Sequence, residues 1–223
     1  MSTNSFSQTV KDIDGNIYNT VQIGNQIWLK ENLRTTKFNN GRPIPLIENG
    51  SLWNNLESAG YCWYNNNQSA IDYEYGALYN WYAVSSDNIC PFGWHVPTNS
   101  EITVLTEYLG GNLIAGGKLK ETGTLNWESP NTGATNSSGF TALPGGYRNT
   151  DASFQGLGLN GSWWCSTTNN DVEGHKRTVH SNSAEICPAN HFDYDKNAGF
   201  SVRCLKDTDN HVVSVPTLSS YYM

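Results

Sequence analysis

The five cysteines of this chain are the residues with the widest range of possible chemistry. Cys165 stands directly behind two tryptophans in "GSWWCSTT" (161–168). There its thiol can serve as a nucleophile, a metal ligand, half of a disulfide or a group on a binding surface. An odd number of well-separated cysteines is typical of an oxidised protein with one thiol left over. They lie at positions 62, 90, 165, 187 and 204.

A second group of side chains with metal-binding chemistry lies between residues 175 and 193. His175, His180, Cys187 and His191 are spaced by 5, 7 and 4 residues, with Asp193 close behind. No closed zinc motif has this spacing, so the pattern favours scattered solvent-facing histidines over a zinc site. We therefore predict neither a bound metal nor another cofactor.

The bulk composition limits the class of partner. Of the 223 residues, 37% are hydrophobic and 12% are aromatic, and the formal net charge is -7. An acidic chain without a cluster of Lys and Arg is poorly suited to bind nucleic acid or an anionic membrane. No apolar run approaches the roughly 18 residues that a membrane span needs, so we predict no membrane insertion.

The same composition indicates where the protein works. A low aliphatic content with many Trp, Tyr, Gly and Asn residues suits a loop-rich extracellular fold. The first ten residues, "MSTNSFSQTV", contain no recognisable signal peptide, which argues in the other direction. We give the composition more weight and expect the protein outside the cell, on the cell surface or on a virion.

Turn signals and hydrophobic spacing predict the elements that must position these residues. Residues 11–36 read as short strands joined by turns at "DGN" and "GNQ". The pattern over 98–109 predicts a helix, in which Thr98 and Glu101 form a capping box. Aromatic spacing predicts a second helix over 74–84. Strands are predicted at 139–143, 161–166, 176–181 and 199–206.

The chain reads as one structural unit. It contains neither an internal repeat nor a linker, which favours a single domain over 11–207. We expect a flexible N-terminus over 1–10 and a C-terminal tail over 208–223. The long irregular middle of the chain is typical of functional loops carried on a rigid frame.

Several blocks of sequence, in a fixed order, carry a resemblance to a known family. They are "DIDGNIYNTVQIGNQIWLKENLRTTKFNNG", "YGALYNWYAV", "CPFGWHVPTNSEITVL", "GGKLKETGTLNWESPNTGATNSSGFTALPGGYRN", "GSWWCSTT" and "GFSVRCLKD". From about residue 10 to 207 the chain closely resembles the Fibrobacter succinogenes major paralogous domain family. That family is similar to the C-type-lectin-like fold and to the formylglycine-generating-enzyme group. The resemblance implies an α+β fold with a small twisted antiparallel sheet, one or two main helices and extensive irregular loops.

The resemblance also implies roles for the cysteines. It implies a disulfide between Cys90 and Cys204 and a small buried side chain at Cys62. Cys165 and Cys187 depart from the family pattern, so a bridge between them and two unpaired thiols both remain open. Formylglycine-generating enzymes need a reactive cysteine pair a few residues apart, whereas 21 residues separate these two. That activity does not carry over, and we predict that the protein is not an enzyme.

The remaining signal is a polar and aromatic segment from about 163 to 200. Protein-binding surfaces are built from such mixtures of Tyr and Trp with Ser, Asn and Gly. The alternative is a core position for Trp163 with a solvated loop around it. We predict a surface that binds a protein or glycan ligand on another cell or surface. Its predicted contact residues are Trp164, Cys165, Thr167, Asn169, Asp171, His175, Arg177, His180, Glu185, His191, Asp193 and Tyr194.

Similarity to the variable proteins of diversity-generating retroelements suggests how such a surface could vary. Asn, Ser, Asp, His, Tyr and Cys all arise from an AAC codon when only its adenines change, and they are frequent between 165 and 197. Two alternatives remain: a fixed-specificity glycan-binding adhesin, and an oxidase like the formylglycine-generating enzymes. The predicted scaffold residues are Trp94, His95, Gly145, Gly146, Trp163, Arg203 and Cys204.

Overall fold

A computed structural model places short strands and a few helices among long loops. It describes residues 8–68, 74–86, 88–168, 170–187 and 194–208. No helix in these ranges is long and apolar enough to cross a membrane. The helices are α1 (Gly50–Asn54), α2 (Trp81–Val84), α3 (Asn99–Tyr108) and α4 (Asn112–Leu119), and a 3-10 turn covers Tyr64–Asn66.

The strands form small antiparallel sheets, which confirms the predicted α+β class. In chain order they are β1 (Thr9–Lys11), β2 (Ile17–Ile23), β3 (Gln26–Leu29), β4 (Tyr61–Cys62), β5 (Leu78–Tyr79), β6 (Trp94–His95), β7 (Gly145–Arg148), β8 (Phe154–Leu157), β9 (Asn160–Thr168), β10 (Glu173–His180), β11 (Ile186–Cys187), β12 (Tyr194–Asp195) and β13 (Leu205–Lys206).

The first sheet joins the two ends of the described chain in the order β1-β2-β3-β13-β6. The predicted hairpins of 11–36 are present. A carboxylate oxygen of Asp12 accepts the backbone N–H groups of Asp14 and Asn16, which closes the turn between β1 and β2. Gly24 occupies the turn between β2 and β3 at φ +60°, a left-handed conformation that glycine adopts without strain.

The second sheet is built around β10. Strand β9 pairs antiparallel with one edge of β10, while β11 and β12 pair with different parts of its other edge. The pairs β4–β5 and β7–β8 form two further sheets of two strands each. Strand β10 therefore lies in the middle of the segment that the sequence predicts as the ligand-binding surface.

Helix α3 begins and ends close to the sequence prediction. The Thr98 hydroxyl accepts the backbone N–H of Glu101, and the Glu101 carboxylate accepts that of Thr98. This is the predicted capping box, which satisfies donors that a helix start leaves without partners. Ile102 and Leu105 then face the core, so α3 packs against the sheets through one side only.

Three predicted elements are wrong in detail. Of the strand predicted at 199–206, only β13 (Leu205–Lys206) is a strand, and residues 199–201 form single bridges. In place of one helix over 74–84, residues 74–75 are helical, strand β5 follows at Leu78–Tyr79, and α2 forms at the end, so the predicted helix is interrupted. The backbone N–H of Tyr79 donates to Phe200 and the Phe200 N–H donates back, so sheet pairing overrides the helical pattern. Residues 139–143 contain no named strand, only a single bridge between Lys120 and Ala142.

Strand β9 separates two hydrophobic clusters. Trp164 belongs to the first cluster, together with Phe200 and Tyr79. Trp163 and Cys165 belong to the second cluster, beneath α3 and α4. Successive side chains of a strand point to opposite faces, and here both faces are covered. The middle of β9 therefore has no solvent-exposed side.

The disulfide that the resemblance implies is present. Cys90 and Cys204 are bonded, and both are buried. Cys62 is buried with a free thiol, as expected for a small core side chain. Cys165 and Cys187 are also free, so the possible bridge between them is absent.

His95 connects the last strand of the first sheet to the start of α3. Its Nδ1 lies 2.6 Å from a carboxylate oxygen of Asp207, and its Nε2 lies 3.0 Å from a carboxylate oxygen of Glu101. Burial lowers the pKa of His95, but the hydrogen bonds and charges of Glu101 and Asp207 outweigh burial and raise it. Burial raises the pKa of Glu101, whereas its bonds with His95 and Thr98 lower it to about 2.

We expect this arrangement to give the free energy of unfolding a specific pH dependence. Because the folded-state pKa of His95 is raised, its contribution is complete below its unfolded pKa and is lost as the pH rises through the folded value. His95→Gln should therefore cost about 1–2 kcal/mol at pH 6 and clearly less at pH 9. Urea unfolding at the two pH values measures this difference. An equal cost at both would contradict a charged role for His95.

Candidate functional site

Three of the predicted contact residues are buried, which corrects their assignment to a surface. Trp164 and Cys165 are 0% exposed and Arg177 is 5% exposed. The indole N–H of Trp164 donates to the Tyr79 carbonyl (2.8 Å). Burial raises the pKa of the Cys165 thiol to about 12, so it is a protonated core group. These side chains support the surface from below and do not contact a ligand.

The position of Arg177 shows why Cys165 and Cys187 do not meet. Arg177 points toward α3 and donates to the side-chain oxygens of Asn99 (2.6 Å) and Thr103 (3.1 Å). Cys165 lies on that same side of the sheet, close to Arg177. Cys187 pairs with Thr178, the next residue along β10, whose side chain points to the opposite side. The sheet itself separates the two thiols.

Thr167 of β9 has a structural role. It lies two residues after Cys165, on the same side of the strand toward α3, and its hydroxyl accepts the backbone N–H of Asn99 (3.0 Å). Around it the pairing shifts from Lys176–Trp164 to Gly174–Thr168, so three residues of β9 oppose one residue of β10. Thr167 was predicted to contact ligand, but its oxygen helps to satisfy the start of α3.

The side of this sheet opposite α3 presents a row of polar side chains. Every second residue of β10 points to this side, namely Lys176, Thr178 and His180. Cross-strand pairing sets other polar residues beside them. We call this surface the polar sheet face, and it consists of Asn160, Ser162, Lys176, Thr178, His180 and Cys187. Ser162 and Thr178 are buried at its floor, and the other four are half-buried at its rim.

Hydrogen bonds fix most of these side chains in place. The hydroxyl oxygens of Ser162 and Thr178 are 3.0 Å apart, and the Lys176 ammonium donates to the Thr178 hydroxyl (3.1 Å). His180 Nδ1 lies 2.7 Å from the side-chain oxygen of Asn160. That oxygen only accepts, so Nδ1 carries the proton, and Nε2 of the neutral ring is an acceptor. The face is preorganised for hydrogen bonding.

An aromatic group borders one end of the polar sheet face. The rings of Tyr147 and Tyr194 lie 5.5 Å and 5.2 Å from Phe200, which packs edge-on against Trp164 at 4.8 Å. The Lys176 ammonium lies 5.0 Å from the centre of the Tyr194 ring. Tyr147 and Tyr194 are half-buried, so ring surface and polar groups occur side by side. Tyr194 is the predicted contact residue at this end.

The charges around this face favour neutral side chains at its centre. Burial lowers the pKa of His180, and Lys176 and Lys120 lower it further, while Glu185 acts in the opposite direction. Burial also raises the pKa of the Cys187 thiol. A neutral imidazole and a protonated thiol are suited to hydrogen bonding. Glu185, another predicted contact residue, is a carboxylate whose charge acts on both groups.

The turn between β9 and β10 forms a separate exposed tip. Asp171, a predicted contact residue, is exposed there beside Val172. The ammonium of Lys196 donates to the carbonyls of Asn170 and Asp171 (both 2.9 Å) and lies 4.5 Å from the Trp81 ring centre. Lys196 thus fixes the backbone of the tip, whose exposed surface lies next to β12.

The remaining predicted residues do not extend either surface. His175 is half-buried and lies one residue before Lys176, so it faces the other side of β10. Asn169, His191 and Asp193 lie outside the described residues. Within the described ranges, no three His, Cys, Asp or Glu side chains cluster as metal ligands would. Of the predicted set, the structure places His180 and Glu185 near one end of the polar sheet face and Tyr194 at the other end, beside Gly174.

Several residues of the polar sheet face were missed by the sequence analysis. Asn160 and Tyr147 lie before the segment that was considered, and Lys176 and Thr178 lie within it. The signal that could have found the β10 residues is the strand alternation of "KRTVH", with Lys176, Thr178 and His180 on one side. Tyr147 offered no such signal, because only tertiary packing sets it beside Tyr194.

A comparison with known families gives a match over most of the chain. The sequence profile described as the Fibrobacter succinogenes major domain matches residues 21–206. The chain belongs to this family. The match contains the disulfide, α3 and both strands β9 and β10 of this Fibrobacter succinogenes major domain. Comparison with curated proteins gave no match, and neither did comparison with solved structures.

Proposed function

We propose that this Fibrobacter succinogenes major domain is a non-catalytic module that binds a protein or glycan ligand through its polar sheet face. The observation that carries the proposal is the row of half-buried polar side chains beside the rings of Tyr147 and Tyr194. Binding surfaces combine rigid aromatic contact area with a few placed hydrogen-bonding groups in this way. The residues that chiefly contact the ligand in this proposal are His180, Glu185 and Tyr194.

The absence of catalysis is part of the same proposal. The Cys165 thiol is buried with its pKa raised to about 12. Burial also raises the pKa of the Cys187 thiol, which disfavours the reactive thiolate form. The described cysteines offer no close reactive pair of the kind that a formylglycine-generating enzyme needs, since Cys165 and Cys187 lie on opposite sides of the sheet. Both arguments favour binding over oxidation chemistry.

We further propose a C-type-lectin-like fold that acts outside the cell, on a cell surface or on a virion. The Cys90–Cys204 disulfide supports an oxidising location. The aromatic-rich composition supports the same location.

Binding assays with the full chain test the proposed surface. The fluorescently labelled protein is applied to a glycan array and to intact bacterial cells, next to the single variants His180→Ala and Tyr194→Ala. Each variant should weaken saturable binding at least tenfold, about 1.4 kcal/mol, because both side chains lie at the rim of the face. Unfolding curves confirm that the variants are folded.

Phe92→Ala is the control, because Phe92 is 83% exposed in the turn before β6, which belongs to the first sheet. It should bind as the wild type does. Equal losses in all three variants, or full binding by His180→Ala and Tyr194→Ala, would place the ligand elsewhere. Complete absence of saturable binding to either target would remove support for a binding module.

In the narrower form of this proposal, a retroelement diversifies the residues of the binding surface. The alternative is a glycan-binding adhesin of fixed specificity. Three of the four rim residues, Asn160, His180 and Cys187, and the neighbouring Tyr194 belong to the types that adenine changes in an AAC codon can produce, whereas Lys176 does not. Sequencing the native locus separates the two. A near-copy of the segment encoding 160–204 that differs at adenines, beside a reverse transcriptase, is expected for a variable protein. A locus without either would leave the adhesin.

A further inference from the structure

The helices carry an exposed apolar surface on the far side of the molecule from the polar sheet face. We call it the helical patch. Its four side chains come from the end of α3 and the start of α4, and large parts of them are in contact with solvent. They are Val104 (54% exposed), Tyr108 (66%), Leu113 (75%) and Ile114 (46%). Contiguous apolar side chains at a surface commonly mark an interface.

Local structure makes the patch continuous. Val104 and Tyr108 are four residues apart on α3, so they lie one turn above the other, opposite the buried Ile102 and Leu105. At the turn into α4, Gly110 lies directly beneath the side chain of Ile114. The same turn therefore brings the apolar ends of both helices to one surface.

Two opposite charges accompany these apolar groups. Glu107 is exposed on α3 next to Tyr108, and the ammonium of Lys118 on α4 lies near Gly110. Among the described residues, neither side chain forms a salt bridge. When two copies meet across a two-fold axis, the acid of each copy can face the base of the other.

We propose that the helical patch is the interface between two copies of this chain. The contact is isologous: the apolar side chains of one copy pack on those of the other, and Glu107 of each copy faces Lys118 of its partner. Burying the four side chains supplies the attraction, and the paired charges fix the relative orientation.

Such a dimer would hold two ligand surfaces facing apart. Arg177 bonds to α3 from one side of β10, whereas Lys176 and His180 point away from α3. The dimer itself does not depend on the proposed ligand binding. If both are correct, one dimer binds a surface at two points, and avidity exceeds the affinity of a single site.

Sedimentation velocity of the full chain tests the dimer. The wild type should sediment with twice the chain mass of 24.7 kDa at micromolar concentration. Leu113→Asp places a charge in the centre of the contact and should raise the dissociation constant at least tenfold. Leu125→Asp, at an exposed leucine outside the patch (92% exposed, against 75% for Leu113), should leave the dimer intact. A monomeric wild type at 100 μM, or equal effects of the two variants, would overturn the proposal.

Charge reversal provides a second readout that does not depend on apolar packing. Glu107→Lys alone should weaken the dimer, because two like charges then face each other across the contact. Adding Lys118→Glu should restore it, since the pair is recreated with exchanged signs. A double variant that remains as weak as Glu107→Lys would overturn the proposed orientation.

Discussion

Replacing Cys90 and Cys204 together with alanine should lower the free energy of unfolding by about 4 kcal/mol. The two residues are 114 positions apart. In the chain-entropy model a cross-link that closes a loop of about 100 residues stabilises the folded state by about 4.7 kcal/mol. Cys204 lies just before β13, and Cys90 precedes β6, the neighbouring edge strand. Without the bridge β6 is still paired with β13 and packed in the core, but the unfolded chain is no longer cross-linked.

Equilibrium unfolding in urea, with and without dithiothreitol, measures this effect. Reduction should bring the wild type close to the double variant, whereas the variant itself should not respond to reduction. Cys187→Ala is the control, since it removes a free half-buried thiol and should change the free energy of unfolding little. A double variant that unfolds at the wild-type urea concentration would show that the bridge contributes nothing to stability.

Lys120→Met should lower the free energy of unfolding by about 3 kcal/mol. The Lys120 ammonium is fully buried and donates to the carbonyls of Thr132 (2.9 Å), His180 (2.9 Å) and Ser183 (2.8 Å). It also lies 5.3 Å from the centre of the Trp127 ring. Methionine fills a similar volume but leaves all three carbonyls without that donor. The end of β10 would lose its attachment to α4.

Thermal and urea unfolding of Lys120→Met should be compared with Lys206→Met. Lys206 is exposed on β13, and its removal should change the free energy of unfolding by less than about 0.5 kcal/mol. Burial lowers the pKa of Lys120 to about 8, so the side chain is still an ammonium at pH 7. Equal stability of the two variants would contradict the role assigned to the buried ammonium.

Elements fixed by local signals were predictable from the sequence. The capping box of Thr98 and Glu101 with the apolar spacing of Ile102 and Leu105 determines α3 almost to the residue. The turns of residues 11–36 were equally readable, because Asp12 and Gly24 act through their own backbone neighbourhood. Where one residue type imposes one local conformation, the sequence alone is sufficient to predict the element.

Elements that depend on distant pairing were not predictable. The Trp163–Trp164 pair suggested a buried tryptophan next to an exposed one, but β9 has a hydrophobic cluster on each side and buries both. Likewise, residues 78 and 79 look helical until Phe200, far along the chain, supplies a strand partner. Neither fact can be read from neighbouring residues.

The candidate site shows the same limit. Whether a side chain of β10 faces the polar sheet face or α3 depends on its position in the strand alternation. Lys176 and Arg177 are adjacent, yet Lys176 lies on the polar sheet face and Arg177 is buried against α3. In β9 the same alternation sets Thr167 beside α3, although it was predicted to contact ligand. The sequence located the segment, but its inward and outward residues required the strand pairing.

Hydroxyl-radical footprinting with mass spectrometry is the most direct test of the polar sheet face as the ligand site. The full chain is oxidised alone and with the tightest ligand from the array. We expect the ligand to slow oxidation of Tyr147, His180 and Tyr194 severalfold, while Phe92, exposed in the turn before β6, reacts at an unchanged rate. Unchanged oxidation of these three side chains, with protection at Phe92 or at the tip between β9 and β10, would contradict the account.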